Sequence, residues 1–489
     1  MILLQNSLGV SIFAIAVCRE IEMQNNYKKL KFKSIAGNSY IYDDLDGTVI
    51  PESYINYKKR PIHQFNNADE GPFFKAILND KEIIKNFLFY QGYTQLQLVV
   101  TEQCNLRCKY CCYSGQYPNN RTHGSDCMEW GIAEKAINTF VRGLLAVKAQ
   151  RPGLRPAISF YGGEPLLNFG LIRDSVALIK KLYQGNIVFN LTTNGTLLKP
   201  EMLTFFYEND FALTFSLNGY PEEHDRLRIF PNGTGSFDLA WHNLQAVRHK
   251  NPLYFNQNCS LSVVFDYGTD LNRLSSFLEN RRAVLPGHFE LNSVVGEFTQ
   301  YYSRYSDKDR LRFNESLDHF QRLYINTLLK GEKPSQFLQI LCGRVLEHIM
   351  LRLQNTSNVS PVLPFTSTCF PGMKMAAYPD GSFHCCERIN SHFPIGDVNS
   401  GIDYDLILNL INKYRSQIYP ECYQCPITRL CRFCFATLAG DEIFQRDPSD
   451  RCKIEIETIR DELATLWSLF EKGVSEAAFV HTHKIDNNE

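Results

Sequence analysis

Eleven of the sixteen cysteines fall in two short stretches, four between Cys104 and Cys112 and seven between Cys369 and Cys434. Thiols this dense, in a chain without a secretory signal, point to metal or redox chemistry rather than to a disulfide framework. The longest apolar run near the start, Leu8 to Cys18, lacks a basic leader and a small-residue cleavage site. It is also shorter than the roughly 20 residues needed to cross a bilayer. The expected address is therefore cytoplasmic, with no membrane partner. Residues 1–27 read as an extension, with translation starting at Met1 or Met23, or as an ordinary first element. Lys plus Arg number 51 against 52 Asp plus Glu, so no overall field recruits nucleic acid.

The spacing of apolar runs divides the 489 residues further. Residues 28–92 give short alternating runs at Leu30–Ser34, Tyr40–Tyr42 and Thr48–Ile50, then a helical stretch around Phe73 to Phe89, a small α+β module. From Leu96 six strand-like runs follow: Leu96–Val100, Ala157–Tyr161, Ile187–Leu191, Ala212–Leu217, Ser260–Phe265 and Phe289–Val295. Each gap leaves room for a crossover helix, so residues 93–300 are expected to form an α/β unit, a partial (β/α)6 barrel of the TIM type. Residues 301–365 read as helical (Asp309–Leu329, Gln336–Leu353) and end in a Pro- and Ser-containing linker at Asn355–Phe365. The Cys-rich part, 366–470, closes with a helix from about Ile454 to Phe470, starting just after Cys452; the tail 471–489 reads as frayed beyond Gly473.

Cys104-Asn-Leu-Arg-Cys108-Lys-Tyr-Cys111 follows the first barrel strand, where barrel enzymes carry their chemistry. Three thiolates in one loop hold three irons of a [4Fe-4S] cube and leave the fourth open. A structural zinc site with Cys112 as the extra ligand, or plain buried thiols, are the other readings. Tyr161-Gly162-Gly163-Glu164-Pro165 follows the second strand. Its glycines let backbone approach a ligand and its carboxylate suits an ammonium; an ordinary turn is the plainer alternative. Thr193-Asn194-Gly195, Ser216-Leu217-Asn218-Gly219 and His224-Asp225-Arg226-Leu227-Arg228 follow the next strands. The paired knuckles Cys422-X2-Cys425 and Cys431-X2-Cys434, taken alone, also fit a zinc ribbon.

With Tyr110 before its last cysteine, the CX3CX2C loop resembles that of the radical S-adenosylmethionine (SAM) superfamily. The resemblance implies a [4Fe-4S] cluster on Cys104, Cys108 and Cys111 that binds SAM. It implies that Gly162, Gly163 and Glu164 receive the SAM amino group, that Asn194 and Ser216 lie at its ribose and carboxylate, and that Arg228 meets the carboxylate. A solvated helix start is the plainer reading of Arg228. The family more often has Asp at the place of Asn218. The implied chemistry is reductive cleavage of SAM to a 5'-deoxyadenosyl radical, which abstracts hydrogen from a substrate.

Cys369, Gly381, Cys386, Cys422, Cys425, Cys431, Cys434 and Cys452 together resemble the SPASM extension of such enzymes, with X2 where X3 is usual between Cys431 and Cys434. The resemblance implies two auxiliary [4Fe-4S] clusters, one on Cys422, Cys425, Cys431 and Cys452, the other on Cys369, Cys386 and Cys434. The second lacks a fourth ligand at Leu363 and its neighbours; its iron is open, or Cys342 or Cys385 reaches in. Glu387 stands where sulfatase-maturating relatives carry an Asp base, and is a candidate catalytic base, a positioning group or a surface carboxylate. The chain looks closest to maturases of ribosomally made peptides, which implies a precursor-peptide substrate, a thioether or similar cross-link, and an electron donor such as flavodoxin or ferredoxin. In that family the 28–92 module would hold a leader strand; a plain cap fits too. The rivals are formylglycine formation and a zinc-stabilised scaffold or nucleic-acid adaptor.

Overall fold

The computed structural model describes residues 28–44, 47–54, 80–149, 151–296, 298–354, 369–422, 425–446 and 450–479. The expectations for residues 1–27, for the chain before Asp80 in the helical stretch, for the linker Asn355–Phe365 and for Leu363 lie outside the described residues.

Three antiparallel strands open the chain, β1 (Lys29–Lys33), β2 (Ser39–Asp43) and β3 (Thr48–Pro51). Lys-Leu-Lys-Phe-Lys alternates along β1, so Leu30 and Phe32 are buried while the lysines face out. What covers Phe32 is the far end of the chain: its ring stacks on Tyr40 and meets Trp467 edge-on, on the closing helix Arg451–Glu471. Asp44 is buried as well and accepts from the backbone N–H of Arg429 at 2.8 Å. The first module is thus packed onto the Cys-rich part.

The main sheet contains β4 (Gln95–Thr101), β5 (Ala157–Gly162), β6 (Val188–Thr193), β7 (Ala212–Ser216), β8 (Cys259–Phe265) and β9 (His288–Ser293), followed by β10 (Lys374–Ala377), β11 (Ser382–His384), β12 (Pro394–Asp397) and β13 (Gly401–Ile402). Its order is β13-β12-β11-β10-β4-β5-β6-β7-β8-β9. β4 to β9 are parallel neighbours joined by helical crossovers, and β10 adds to β4 in the same direction. This is an α/β fold with a mostly parallel sheet. The Cys-rich part therefore continues the sheet through β10, which pairs with the strand that carries the first cysteine loop. Along β8 every second residue is buried among helices, while Ser260, Ser262 and Val264 face a cavity.

Two expectations at the C-terminus are corrected. The closing helix begins at Arg451, so Cys452 sits in its first turn rather than before it. From Gly473 to Phe479 the chain is packed, a short 3-10 turn, Glu476–Ala478, bringing the fully buried Phe479 edge-on to Phe470, while residues 480–489 lie outside the described residues. The helical run from Gln336 to Gln354 contains a π turn at Gln339–Gly343. No helix among the described residues is long and apolar enough to cross a membrane.

Candidate active site

The loop after β4 lies on the segment that ends at Arg228. Arg107 N–H donates to the Ile229 carbonyl at 2.7 Å and Lys109 N–H to that of Leu227 at 2.9 Å. Within the loop, Leu106 N–H points at Cys104 Sγ, 3.4 Å away. Burial pushes the Cys104 thiol up to about 12 and that of Cys108 upward, and the neighbouring thiols add to both; Cys111 is raised by its contact with Cys112 and then by burial. A bare thiolate is disfavoured here, so a bound cation or cluster must displace protons. Arg228 supplies the compensating charge. It is 7% exposed, its Nη1 donates to Tyr110 Oη, and its Nε has no partner. Burial works against that charge, but Cys108 and Tyr110 hold the guanidinium protonated. His123 Nε2 lies 3.6 Å from Cys111 Sγ.

Strand β5 ends against this loop in a way only glycine permits. Gly162 has φ +146°, and a Cβ there would sit 2.1 Å from the Thr101 carbonyl; one on Gly163 would sit 2.1 Å from that of Gln103. The Glu164 carboxylate is hydrogen-bonded within the protein. Its Oε1 accepts from Thr193 Oγ1 at 2.7 Å and Leu166 N–H at 3.1 Å, and its Oε2 from Asn194 N–H at 2.8 Å. The carboxylate thus ties the end of β5 to that of β6. Asn194 is likewise engaged, by Asn105 and Thr196. Asn218 is fully buried, accepts from Val264 N–H at 3.2 Å and leaves its amide nitrogen unpaired. His224 is buried beneath it, with Nδ1 3.3 Å from Asn218 N–H.

One cavity of about 1690 Å³ collects most of these groups. Cys104, Cys108, Tyr110, Cys111, Gly162, Gly163, Glu164, Asn194, Ser216 and Arg228 line it, and so does Glu387 from the turn after β11. Asn218 is not on its wall. Glu387 stands 3.9 Å from Arg388 Nε, and its carbonyl accepts from Tyr378 Oη at 3.2 Å. Arg388, Cys112, Tyr161 and Arg121 also face the cavity; sequence reasoning assigned none of them to a substrate. The one signal was position, since Arg388 follows Glu387 and Cys112 follows Cys111.

The other cysteines sort into two groups. Burial pushes Cys422 up to about 12 and Cys425 up to about 11, and Cys431 upward; each also feels thiols of the set that Cys452 completes. Burial likewise pushes Cys434 up to about 12, with Cys386 and Cys369 adding to it. Cys385 belongs with this second set, being raised by burial, by Cys386 and by Cys434 and Cys369. Cys342, the other candidate for its fourth position, lies elsewhere, on a cavity of about 50 Å³ against the closing helix, where burial alone acts on its thiol. Among the described residues no three Cys, His, Asp or Glu are grouped to hold a single metal ion. A four-iron cube needs its thiols set wider apart than one ion does.

A family profile, Radical SAM superfamily, matches residues 98–270. The chain is 31% identical over 148 residues to the cysteine-type anaerobic sulfatase-maturating enzyme of Clostridium novyi (strain NT), covering 30% of this chain and 37% of that protein. It is 26% identical over 234 residues to the radical SAM cyclopropyl synthase TigE of Paramaledivibacter caminithermalis, covering 47% and 43%. The matched segments thus span less than half of these two relatives. Among solved structures, native anSMEcpe with bound AdoMet and Cp18Cys peptide has a similar fold, with a TM-score of 0.54 at 18% identity over 78% of this chain and 97% of that one.

Proposed function

We propose, from the premise that this chain is an enzyme of the radical SAM superfamily through its domain at residues 98–270, that it modifies a ribosomally made precursor peptide in the cavity between that domain and Glu387. The observation that carries this reading is the cavity wall. Four thiols of one loop stand on it, and so do Glu387 and the guanidiniums of Arg121, Arg228 and Arg388 from other parts of the chain. In this reading β4 to β9 form a partial (β/α)6 barrel, and residues 366–470 are a SPASM domain with two auxiliary [4Fe-4S] clusters.

When bound, a [4Fe-4S] cluster with SAM supplies a 5'-deoxyadenosyl radical by reductive cleavage, and that radical takes a hydrogen atom from the substrate. The protein's own part is placement. Cys104, Cys108 and Cys111 hold three irons. Arg228, already charged and buried, meets the SAM carboxylate at no further desolvation cost. The carbonyls of Gly162 and Gly163 are the acceptors left for the ammonium, because the Glu164 carboxylate is taken up by Thr193, Leu166 and Asn194. Glu387, with Arg388 Nε 3.9 Å away, takes the proton released as the substrate is oxidised. The outcome is a thioether or similar cross-link, the one electron left over from the substrate's oxidation being one that an auxiliary cluster would accept, with flavodoxin or ferredoxin as the class of electron donor.

The second reading, formylglycine formation, is favoured by the sulfatase-maturating relatives and by the carboxylate after Cys386. Product mass separates the two when the anaerobically reconstituted enzyme is given a cysteine-bearing precursor peptide and a sulfatase peptide. Three cubes give roughly 12 irons per chain; zinc in their place, or no 5'-deoxyadenosine under a strong reductant, refutes both. The packing of β1 and β2 on Trp467 supports the cap reading of the first module over the leader-binding one. Deleting residues 28–54 should then abolish SAM cleavage together with peptide binding; if peptide binding alone is lost, the module is a leader clamp.

A further inference from the structure

We propose that Arg446 raises the reduction potential of the auxiliary cluster assigned above to Cys422, Cys425, Cys431 and Cys452, by holding a fixed cation and two N–H donors against two of its sulfurs. The inference rests on that assignment. Its geometry is explicit. Arg446 Nη1 lies 3.2 Å from Cys452 Sγ, and Nη2 lies 3.2 Å from Cys422 Sγ and donates to the Ile418 carbonyl at 3.2 Å. Cys422 ends the helix Tyr404–Cys422 and Cys452 lies in the first turn of Arg451–Glu471, so one guanidinium spans the two helix ends that present these sulfurs. A planar fork can do this with two nitrogens at once, whereas an ammonium is a single point.

The sign follows from what neutralises each charge nearby. Arg432, within the same cysteine segment, is matched by Glu455 at 2.7 Å and Glu462 at 2.9 Å, and all three are buried. Among the described residues Arg446 pairs with one carboxylate, Glu421 at 3.1 Å, whose side chain is 70% exposed and therefore screened by water. At Cys422 and Cys452, the two sulfurs it touches, Arg446 is the largest charge acting, ahead of Glu421 and Glu455, whereas Asp44 comes ahead of it at Cys425 and Glu455 leads at Cys431. Reduction adds one electron to the cluster, and both a cation and N–H···S bonds stabilise that extra charge. In the first loop no arginine nitrogen reaches a cysteine sulfur: Arg228 bonds Tyr110.

The test uses full-length protein, reconstituted anaerobically, as wild type, Arg446→Gln and Arg446→Lys. The cysteines of the first loop are replaced by Ala in a parallel set so that its signal does not overlap. Iron per chain and a dye-mediated redox titration followed by electron paramagnetic resonance are read. Arg446→Gln should keep its iron and show about tenfold less reduced cluster at a fixed potential, equivalent to about 59 mV for one electron; Arg446→Lys should recover part of it. An unchanged midpoint at full iron overturns the proposal, and so does loss of about four irons, which would make Arg446 a clamp on the thiols. If the wild type holds zinc there, the cluster assignment itself has failed and the proposal goes with it.

Discussion

At the end of β4, Cys104, Cys108 and Cys111 stand on the wall of a cavity of about 1690 Å³, with Arg228 as the cation beside them. Cys422 and Cys431 are each 7% exposed, and neither lines that cavity; their set has a fourth thiol, Cys452, and Arg446 laid across it. In the proposed reading thiols of the first kind would leave an iron for a ligand, and thiols of the second kind would leave none. What would then separate a reacting centre from an electron-holding one is a missing ligand and an open wall, since the residue type is the same.

The largest effect should come from breaking each side in turn. Cys108→Ala is expected to abolish 5'-deoxyadenosine formation, and Cys425→Ala to lose iron while SAM cleavage persists. Equal loss of cleavage in both would erase the distinction. Next in size, Arg432→Met leaves Glu455 and Glu462 buried without their cation, which costs about 3–5 kcal/mol. The counterpart on the parallel-sheet side, Arg226→Met, removes the partner of Glu223 and Asp266. It should cost less, because the Arg226 side chain is 30% exposed. Urea denaturation of the two variants ranks them, and the reverse order would contradict the account. Smaller again is Gly162→Ala, whose Cβ would meet the Thr101 carbonyl in a strained backbone, at a cost of about 1–3 kcal/mol. Gly170→Ala, with nothing within 4 Å, is the matched control and should be neutral or stabilising.

The parts of this comparison that were legible in the sequence are those written in local patterns. The runs from Leu96 to Val295 gave six parallel strands within a residue or two, because each is bounded by turn residues and followed by an amphipathic stretch. The first cysteine loop was legible for the same reason, since its three ligands lie within eight residues. The hydrogen bonds of Glu164 were not legible, because its partners Thr193 and Asn194 are some thirty positions on and only the β5–β6 register brings them together. Arg388 and Arg446 look in sequence like ordinary surface arginines; the turn after β11 sets Arg388 on the cavity wall, and two helix ends meeting set Arg446 against two sulfurs. Cys385 and Cys342 were indistinguishable as spare thiols; tertiary packing alone puts one beside Cys434 and the other against the closing helix.

The finest test concerns Glu462, behind the closed set. Its Oε1 pairs with Arg432, while its Oε2 is buried without a partner. Burial raises its carboxyl from 4.5 to about 7, against the pull of Arg432, and Glu455 adds to the rise. The folded state therefore holds this proton more tightly than the unfolded chain does. The stability that this confers is complete below about pH 4.5 and is lost as the pH climbs through 7. Glu462→Gln fixes the neutral form, so urea midpoints of the wild type should fall relative to the variant between those two values and run parallel above them. Removing the carboxylate also deprives Arg432 of a partner, but that offset does not depend on pH, since Arg432 stays protonated throughout. A gap between the two proteins that is the same at pH 5 and pH 8 would show that the Arg432 pair keeps Glu462 ionised in the folded state, and that the closed side carries its charges fully matched.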